Sequence, residues 1–524
     1  MKWNVLSQTG QDIVETLLAN RGLKTKKEID EFLDPPAPKF KLDTKVAIDR
    51  IKKAIKADEP IVVYGDYDAD GICATAIMWE ALNDLGAKVL PFIPQREKEG
   101  YGLSVDGIKN VDPKTKLIIA VDSGVVAHEA VEFAKNQGID VIILDHHEKP
   151  KKLPSALAII HTEELCASGI AYFLAQELRH PESVEGSLEL AAIATVTDLM
   201  PLIKVNRSIV KFGLEALNTT ARPGLQSLFA VAGIEKIGTY EIGFMIGPRL
   251  NASGRIDSAL TALRLLCTKN PTKATDLAQL LNQTNKDRQT MLEDQTRFAL
   301  SAPVPTEKII FLEHESYHQG IVGLIAGKLV EKYYLPAIVI AKGETISRAS
   351  ARSIAGFNII EAIRSSEELL INAGGHPMAA GFTIETSKIS NFKFQIENLA
   401  REKITSEMLE RVLRVDCELK LEKIDMDLYN SLARFAPFGI GNPEPVFAST
   451  VTIQSLRTVG QEGKHLKLVV DHFDAIAFNR GNLIGKLKAG DKIKIAYNLD
   501  LNSFNGTQNL QLKVKDIIFQ NLQD

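Results

Sequence analysis

Short unbroken apolar runs punctuate the first 200 positions of this chain: Ile61-Val62-Val63-Tyr64, Leu117-Ile118-Ile119-Ala120-Val121 and Val141-Ile142-Ile143-Leu144. Runs of four or five such residues, separated by stretches with helical spacing, mark strands covered on both faces. Residues from about 46 to 200 therefore predict a doubly wound parallel α/β sheet. Residues 1 to 45 precede it as an N-terminal extension ending in Asp34-Pro35-Pro36-Ala37-Pro38. Residues 201 to 303 read as helical and close with a long linking helix from Pro271, with Thr272 as its cap. Leu277, Leu280, Leu281, Thr284, Met291 and Leu292 give that helix its inward spacing. Residues 304 to 409 predict a second α/β domain, with strands at Ile309–Leu312 and Ala337–Ile340 around a helix from Gly323 to Tyr333. Residues 410 to 524 read as all-β, with five strand-like segments that fit an OB-fold β-barrel.

Polar chemistry gathers where the first apolar runs stop. Ile61–Tyr64 leads into Asp66-Tyr67-Asp68-Ala69-Asp70-Gly71, three acids on one turn. The second run ends in Asp122, the third in Asp145-His146-His147, and the helical run Leu188–Thr197 in Asp198. Parallel strands end on one edge, where open α/β sheets build their sites. An acidic turn that only caps a helix is the alternative reading of these three acids taken alone; it does not explain acids and paired histidines at the same edge. Crowded carboxylates repel one another, and a divalent cation removes that penalty. Oxygen donors suit Mg²⁺ or Mn²⁺, and added imidazoles favour Mn²⁺.

The Asp-x-Asp-x-Asp-Gly turn, Asp122, Asp145-His146-His147 and Asp198 resemble the four motifs of the DHH phosphoesterase superfamily. The closer resemblance is to its single-strand-specific 5′→3′ DNA exonucleases. Arg96–Leu103, Gly247–Arg255, Ser350–Ser353, Gly374–Gly381 and Pro437–Pro445 extend that resemblance, in order, across nearly the whole chain. It implies two-metal hydrolysis of phosphodiester bonds releasing 5′-mononucleotides, in DNA repair and recombination. It implies that Asp122 bridges two Mn²⁺ or Mg²⁺ ions, with Asp68 on the first, Asp70, His146 and Asp198 on the second, and Asp66 ligating directly or through water. Asp145 would orient the histidine pair, and His147 would stand near the scissile phosphate. Arg96, Ser350 and Arg352 would hold the 5′ phosphate, and Arg255 and His376 other phosphates. The second α/β domain would be the DHH-associated companion that closes over the metals. One position departs from the pattern: Tyr64 stands where many relatives have a histidine, which predicts a weakly held first ion.

Composition changes the picture little. Charged residues make up 24% and hydrophobic ones 45%, ordinary for a globular protein. Cys73, Cys166, Cys267 and Cys417 are too scattered for a zinc ribbon or a disulfide framework. No signal peptide or membrane-length apolar run is evident, so the expected compartment is the cytoplasm. The net charge is -4, yet residues 448 to 520 carry ten Lys or Arg against six Asp or Glu. With Phe473, Phe478, Tyr497 and Phe504 interleaved, that segment is a candidate single-stranded-DNA surface. Expected partners are single-stranded DNA and a single-strand-binding protein or helicase, with no membrane. The competing readings are a phosphodiesterase for short oligonucleotides or cyclic dinucleotides and a non-enzymatic replication scaffold. A dinucleotide-binding dehydrogenase is excluded, because acids replace the Gly-x-Gly-x-x-Gly that would follow its first strand.

Overall fold

A computed structural model describes residues 1–7, 12–95, 100, 102–179, 187–256, 258–303, 306–504 and 507–519. Two compact units emerge. The larger comprises Lys41–Asp198 and Ala216–Arg411; the smaller comprises Met1–Phe40, Leu199–Glu215 and Val412–Asp524.

Strand β1 (Lys2–Ser7) belongs to the smaller unit. In the larger unit, β2 (Ile61–Tyr64), β3 (Val89–Phe92), β4 (Leu117–Val121), β5 (Asp140–Asp145) and β6 (Ala158–His161) form an all-parallel sheet of order β3-β2-β4-β5-β6. Every residue of β2 and β4 is buried, as their uninterrupted apolar runs require. The chain turns to opposite sides of β2 for β3 and β4, so the strand order reverses beside β2. Helix Ala69–Asp84 is buried along most of its length and packs against Ala167–Leu178 and Leu188–Thr197. Arg222 ties this layer together: it donates to Glu80 (2.6 Å) and Glu189 (2.8 Å), and these carboxylates outweigh burial and hold its pKa above the usual value.

The linking helix runs Pro271–Leu300. Its cap is Asn270, which accepts from Lys273 N–H at 3.0 Å, rather than Thr272. Proline is preorganised for the first helical position, which moves the cap one residue earlier. The inward stripe also differs from the leucine-based reading. Ala274, Ala278, Leu281, Asn285 and Arg288 are buried, while Leu280 is half exposed. Alanine lets the neighbouring helix Pro223–Ala232 approach, and Asn285 Oδ1 satisfies Arg288 at 2.9 Å.

The second sheet of the larger unit contains β7 (Ile310–His314), β8 (Ala337–Ala341), β9 (Ile346–Arg352), β10 (Leu370–His376) and β11 (Ala379–Glu385), in the order β10-β11-β9-β8-β7. β9, β10 and β11 were not read as strands: alanine and serine dominate β9, and glycine and alanine interrupt the apolar residues of the other two. β9 nevertheless has period-two burial: Ser347, Ala349 and Ala351 face in, and Arg348, Ser350 and Arg352 share the other face.

In the smaller unit, β12 (Val412–Glu418) lies between β1 and β13 (Phe447–Val459). β14 (His465–Val470), β15 (Phe473–Ala477), β16 (Lys492–Phe504) and β17 (Thr507–Phe519) follow. Pairing of β13 with β16 closes the five strands β13-β14-β15-β17-β16 into a barrel, the expected OB architecture. The observed strands are longer than the segments read from sequence, and a helix, Met426–Ala433, precedes them. Phe473 and Tyr497 are core residues, whereas Phe478 is 46% exposed. The side chain of Phe504 lies outside the described residues. Among the described residues, no helix is long and apolar enough to cross a membrane, and the four cysteines are unpaired.

Candidate metal centre

The acid turn occupies the C-terminal end of β2. Asp68 caps helix Ala69–Asp84, its Oδ1 accepting from the N–H groups of Asp70 and Gly71 at 3.0 Å each. Its other oxygen is not needed for the cap. Gly71 has no room for a side chain: a Cβ there would lie 2.7 Å from the main chain of Asp66. Asp70 is buried against the start of helix Ala167–Leu178, with its two oxygens accepting from Ala167 and Ser168 N–H at 2.8 Å each. These amides orient the carboxylate.

Asp122 follows β4 with a left-handed backbone (φ 60°) that few non-glycine residues adopt. Its N–H bonds to Leu144 O at 2.9 Å, which holds the residue in that conformation. Its buried Oδ1 has no hydrogen-bond partner and faces His146 Nε2 at 3.2 Å. His146 Nε2 also lies 3.7 Å from both Asp70 and Asp198. Two ligand groups result, Asp66–Asp68–Asp122 and Asp70–His146–Asp198, each with donor atoms within 4.8 Å of one another. A third grouping joins Asp122 to both histidines.

The electrostatics show what this arrangement lacks without a cation. Burial, then Asp70, Asp68 and Asp66, push the Asp122 carboxyl well above the usual range. Burial followed by Asp70 and Asp68 raises Asp198 to about 8. Burial also lowers the His146 pKa, leaving a neutral imidazole able to ligate. A buried orphan oxygen, crowded acids and a neutral imidazole fit divalent cations with hard-to-borderline preferences.

Asp145 has a different task. Its Oδ2 accepts from Val125 N–H at 3.0 Å, and its Oδ1 from His146 and His147 N–H and from His147 Nδ1 at 2.7 Å. Burial opposes its charge, but the His147 bond outweighs that and keeps its pKa low. Burial likewise disfavours the His147 cation, yet Asp145 raises it to about 9.

The second sheet brings His376 to this place. Its ring lies stacked on that of His147, with centroids 6.2 Å apart. Arg352 donates to Ser350 Oγ at 3.2 Å, and both abut Gly323, where a Cβ would come within 2.8 Å of Ser350 Oγ. Burial lowers the Arg352 pKa from its ordinary high value. Arg255 donates to Gly320 O at 3.0 Å. Arg96 lies outside the described residues.

Tyr64 is fully buried and donates to Gly102 O at 3.1 Å, with its ring against Phe92. Residues that carried no assigned role also shape the centre. Asn251 Oδ1 accepts from Ala69 N–H at 2.7 Å, and Gly254 passes so close that a Cβ would lie 2.2 Å from Tyr67 O. The Gly247–Arg255 stretch therefore braces the acid turn. Its unusual run of Gly, Pro, Asn and Ser was the available signal.

Three family models match the chain: the DHH family N-terminal domain over residues 60–196, the DHHA1 domain over 306–402 and the RecJ OB domain over 415–516. The fold and site are those of a DHH-type phosphoesterase. The single-stranded-DNA-specific exonuclease RecJ of Bacillus subtilis is 35% identical, covering 96% of this chain and 67% of that protein. The RecJ of Escherichia coli is 30% identical, covering 96% and 95%. The crystal structure of RecJ from Thermus thermophilus in complex with Mn²⁺ superposes with a TM-score of 0.87 at 30% identity, covering 99% and 79%. The chain belongs to the RecJ family.

Proposed function

We propose that this protein is a single-stranded-DNA-specific 5′→3′ exonuclease that hydrolyses phosphodiester bonds with two divalent ions and releases 5′-mononucleotides. The carrying observation is the pair of ligand groups at Asp66–Asp68–Asp122 and Asp70–His146–Asp198, adjoining through Asp122 and His146. Bound Mn²⁺ or Mg²⁺ supplies a water of lowered pKa and neutralises phosphate charge.

The chain's own residues do the rest. Asp122 holds the shared position, and Asp145 fixes the ring of His147 through Nδ1. His147 then presents the other edge of its ring to the phosphate at the scissile bond. His376 lies beside it, and Arg255 provides a further phosphate contact. Arg96, Ser350 and Arg352 receive the 5′ phosphate, for which a guanidinium fork is well shaped. The barrel adds a surface for the rest of the strand. Phe478 meets the edge of His465, while Arg457 and Lys467 are cross-strand partners; rings serve bases and cations serve phosphates. This argues for a long substrate rather than a dinucleotide.

Single-strand specificity requires another activity to separate duplexes, so a helicase and a single-strand-binding protein are the partner classes we propose. The setting is repair and recombination in the cytoplasm. The test uses single strands labelled at either end, with duplex controls, in Mn²⁺ or Mg²⁺. Immediate release of labelled mononucleotide only from the 5′ end is expected. Release first from the 3′ end, or activity confined to di- and trinucleotides, would overturn the reading.

A further inference from the structure

Tyr240 and Phe244, both in the larger unit, have no task assigned above. They are 63% and 68% exposed, and their rings stack on each other with centroids 4.8 Å apart and planes 29° from parallel. Two large rings left in water contribute nothing to a core, and a ring pair at this spacing adds little to a helix.

An unusual stretch of backbone sets their position. One helical run extends from Thr239 to Ile256, and Ile242–Ile246 within it form a π-turn. Gly247 N–H donates there to Ile242 O, five residues back. Such turns are rare and concentrate at functional sites. Ile242, Ile246 and Leu250 are fully buried and anchor the run. Gly247, Asn251 and Gly254 meet elements of the metal centre. A Cβ on Gly247 would lie 2.4 Å from Thr197 Cγ2, in the helix that ends at Asp198. Asn251 and Gly254 abut the acid turn at Ala69 and Tyr67. At 3.6 residues per turn throughout, Tyr240 and Phe244 would fall on that same crowded face. The extra residue of the π-turn rotates them about a quarter-turn off it, so both rings stand in solvent beside the face that meets the metal centre.

We infer that Tyr240 and Phe244 form a stacking platform for a nucleobase of the bound single strand, a base site of the larger unit additional to the barrel. The site rests on the exonuclease reading proposed above. The same helical run carries Arg255, assigned there to a phosphate, eleven residues beyond Phe244. That is roughly 16 Å along a helix axis. A strand following the run therefore meets a cation and a ring pair in succession, the combination that holds single strands without regard to sequence. A dinucleotide held at the metals is too short to reach the rings.

The test mixes the full chain in Mn²⁺ with a long 5′-phosphorylated strand in which one 2-aminopurine is moved along the sequence. Stacking on a ring quenches that base, and stopped-flow fluorescence reads the quench before hydrolysis. The expected quench is confined to a short window of positions, lost in Phe244→Ala and restored in Phe244→Trp. The ratio of the long-strand KM to the dinucleotide KM should rise about 5- to 150-fold in Phe244→Ala, the range for losing one base stack. Tyr240→Ala carries the same expectation. Both rings are exposed, so neither substitution opens the core, and circular dichroism checks the fold. An unmoved quench and an unmoved KM ratio in the folded variants overturn this inference alone. Equal losses on both substrates with the quench retained also overturn it, leaving the rings a structural role. Failure of the unaltered protein to degrade single strands overturns the exonuclease reading and this site together.

Discussion

β2, β4 and β5 run parallel, are almost wholly buried, and end in Asp66–Asp70, Asp122 and Asp145. β9 runs antiparallel to both its neighbours, and one of its faces carries Arg348, Ser350 and Arg352. The first sheet concentrates negative charge at an edge, where burial makes it unstable without a cation. The second spreads positive charge and hydroxyls along a face, where an anion can be received. His147 and His376, one from each sheet, stand at the junction. A phosphodiester needs both: cations to offset its charge where the bond breaks, and donors to place it. The difference follows from geometry. Parallel strands bring their ends together, whereas a strand's period of two brings alternate side chains together.

The strongest way to break this contrast is Asp122→Ala. It removes the shared ligand, and activity should fall about 10³-fold or more because bound metals contribute several kcal/mol. The protein should still fold, and in chelator its melting temperature should rise, since a buried repulsive carboxylate is gone. Near-normal rates, or a lower melting temperature in chelator, would remove the electrostatic account of the first sheet.

Arg352→Ala tests the receiving face. KM for a 5′-phosphorylated strand should rise about 30-fold or more, as expected for losing a desolvated charge contact, while Mn²⁺ affinity stays constant. An equal effect on 5′-hydroxyl substrates would place Arg352 elsewhere on the strand.

Asn251→Ala probes the brace behind the acid turn. Freeing the Ala69 N–H should weaken Mn²⁺ binding about tenfold, the lower range for an outer-shell contact. Calorimetric titration of Mn²⁺ checks this, and an unaltered isotherm would reduce Asn251 to packing.

The smallest effect is expected at Tyr64. Removing its hydroxyl as Tyr64→Phe deletes the bond to Gly102 O, costing about 1 kcal/mol with no change in metal titration. A shifted titration would mean that Tyr64 reaches the first ion after all. The weak first ion inferred from the missing histidine can then be tested by Tyr64→His, which must also sacrifice core packing against Phe92.

The sequence by itself determined the parallel sheet and the acids at its edge. Unbroken apolar runs are local signals, and the residue after such a run lies at a strand end whatever else the fold does. It also carried the barrel, although the exposed turn of Phe478 could not be told from the buried rings of Phe473 and Tyr497. Strand β9 was hidden, because its Ala and Ser show little contrast of hydrophobicity to reveal a period, and β10 and β11 because Gly and Ala leave only short apolar stretches. Tertiary structure alone decided that Asn251 braces Ala69, that Asp70 takes the amides of residues 167 and 168, and that His376 meets His147. It also decided that residues 199–215 belong to the smaller unit, where Arg207 bonds the carbonyls of Phe32 and Phe435. Each of these pairings spans from about 100 to more than 200 positions. Side-chain chemistry states what a residue can bond, but which distant carbonyl or ring it meets is set only when the packed layers fix the backbone between them.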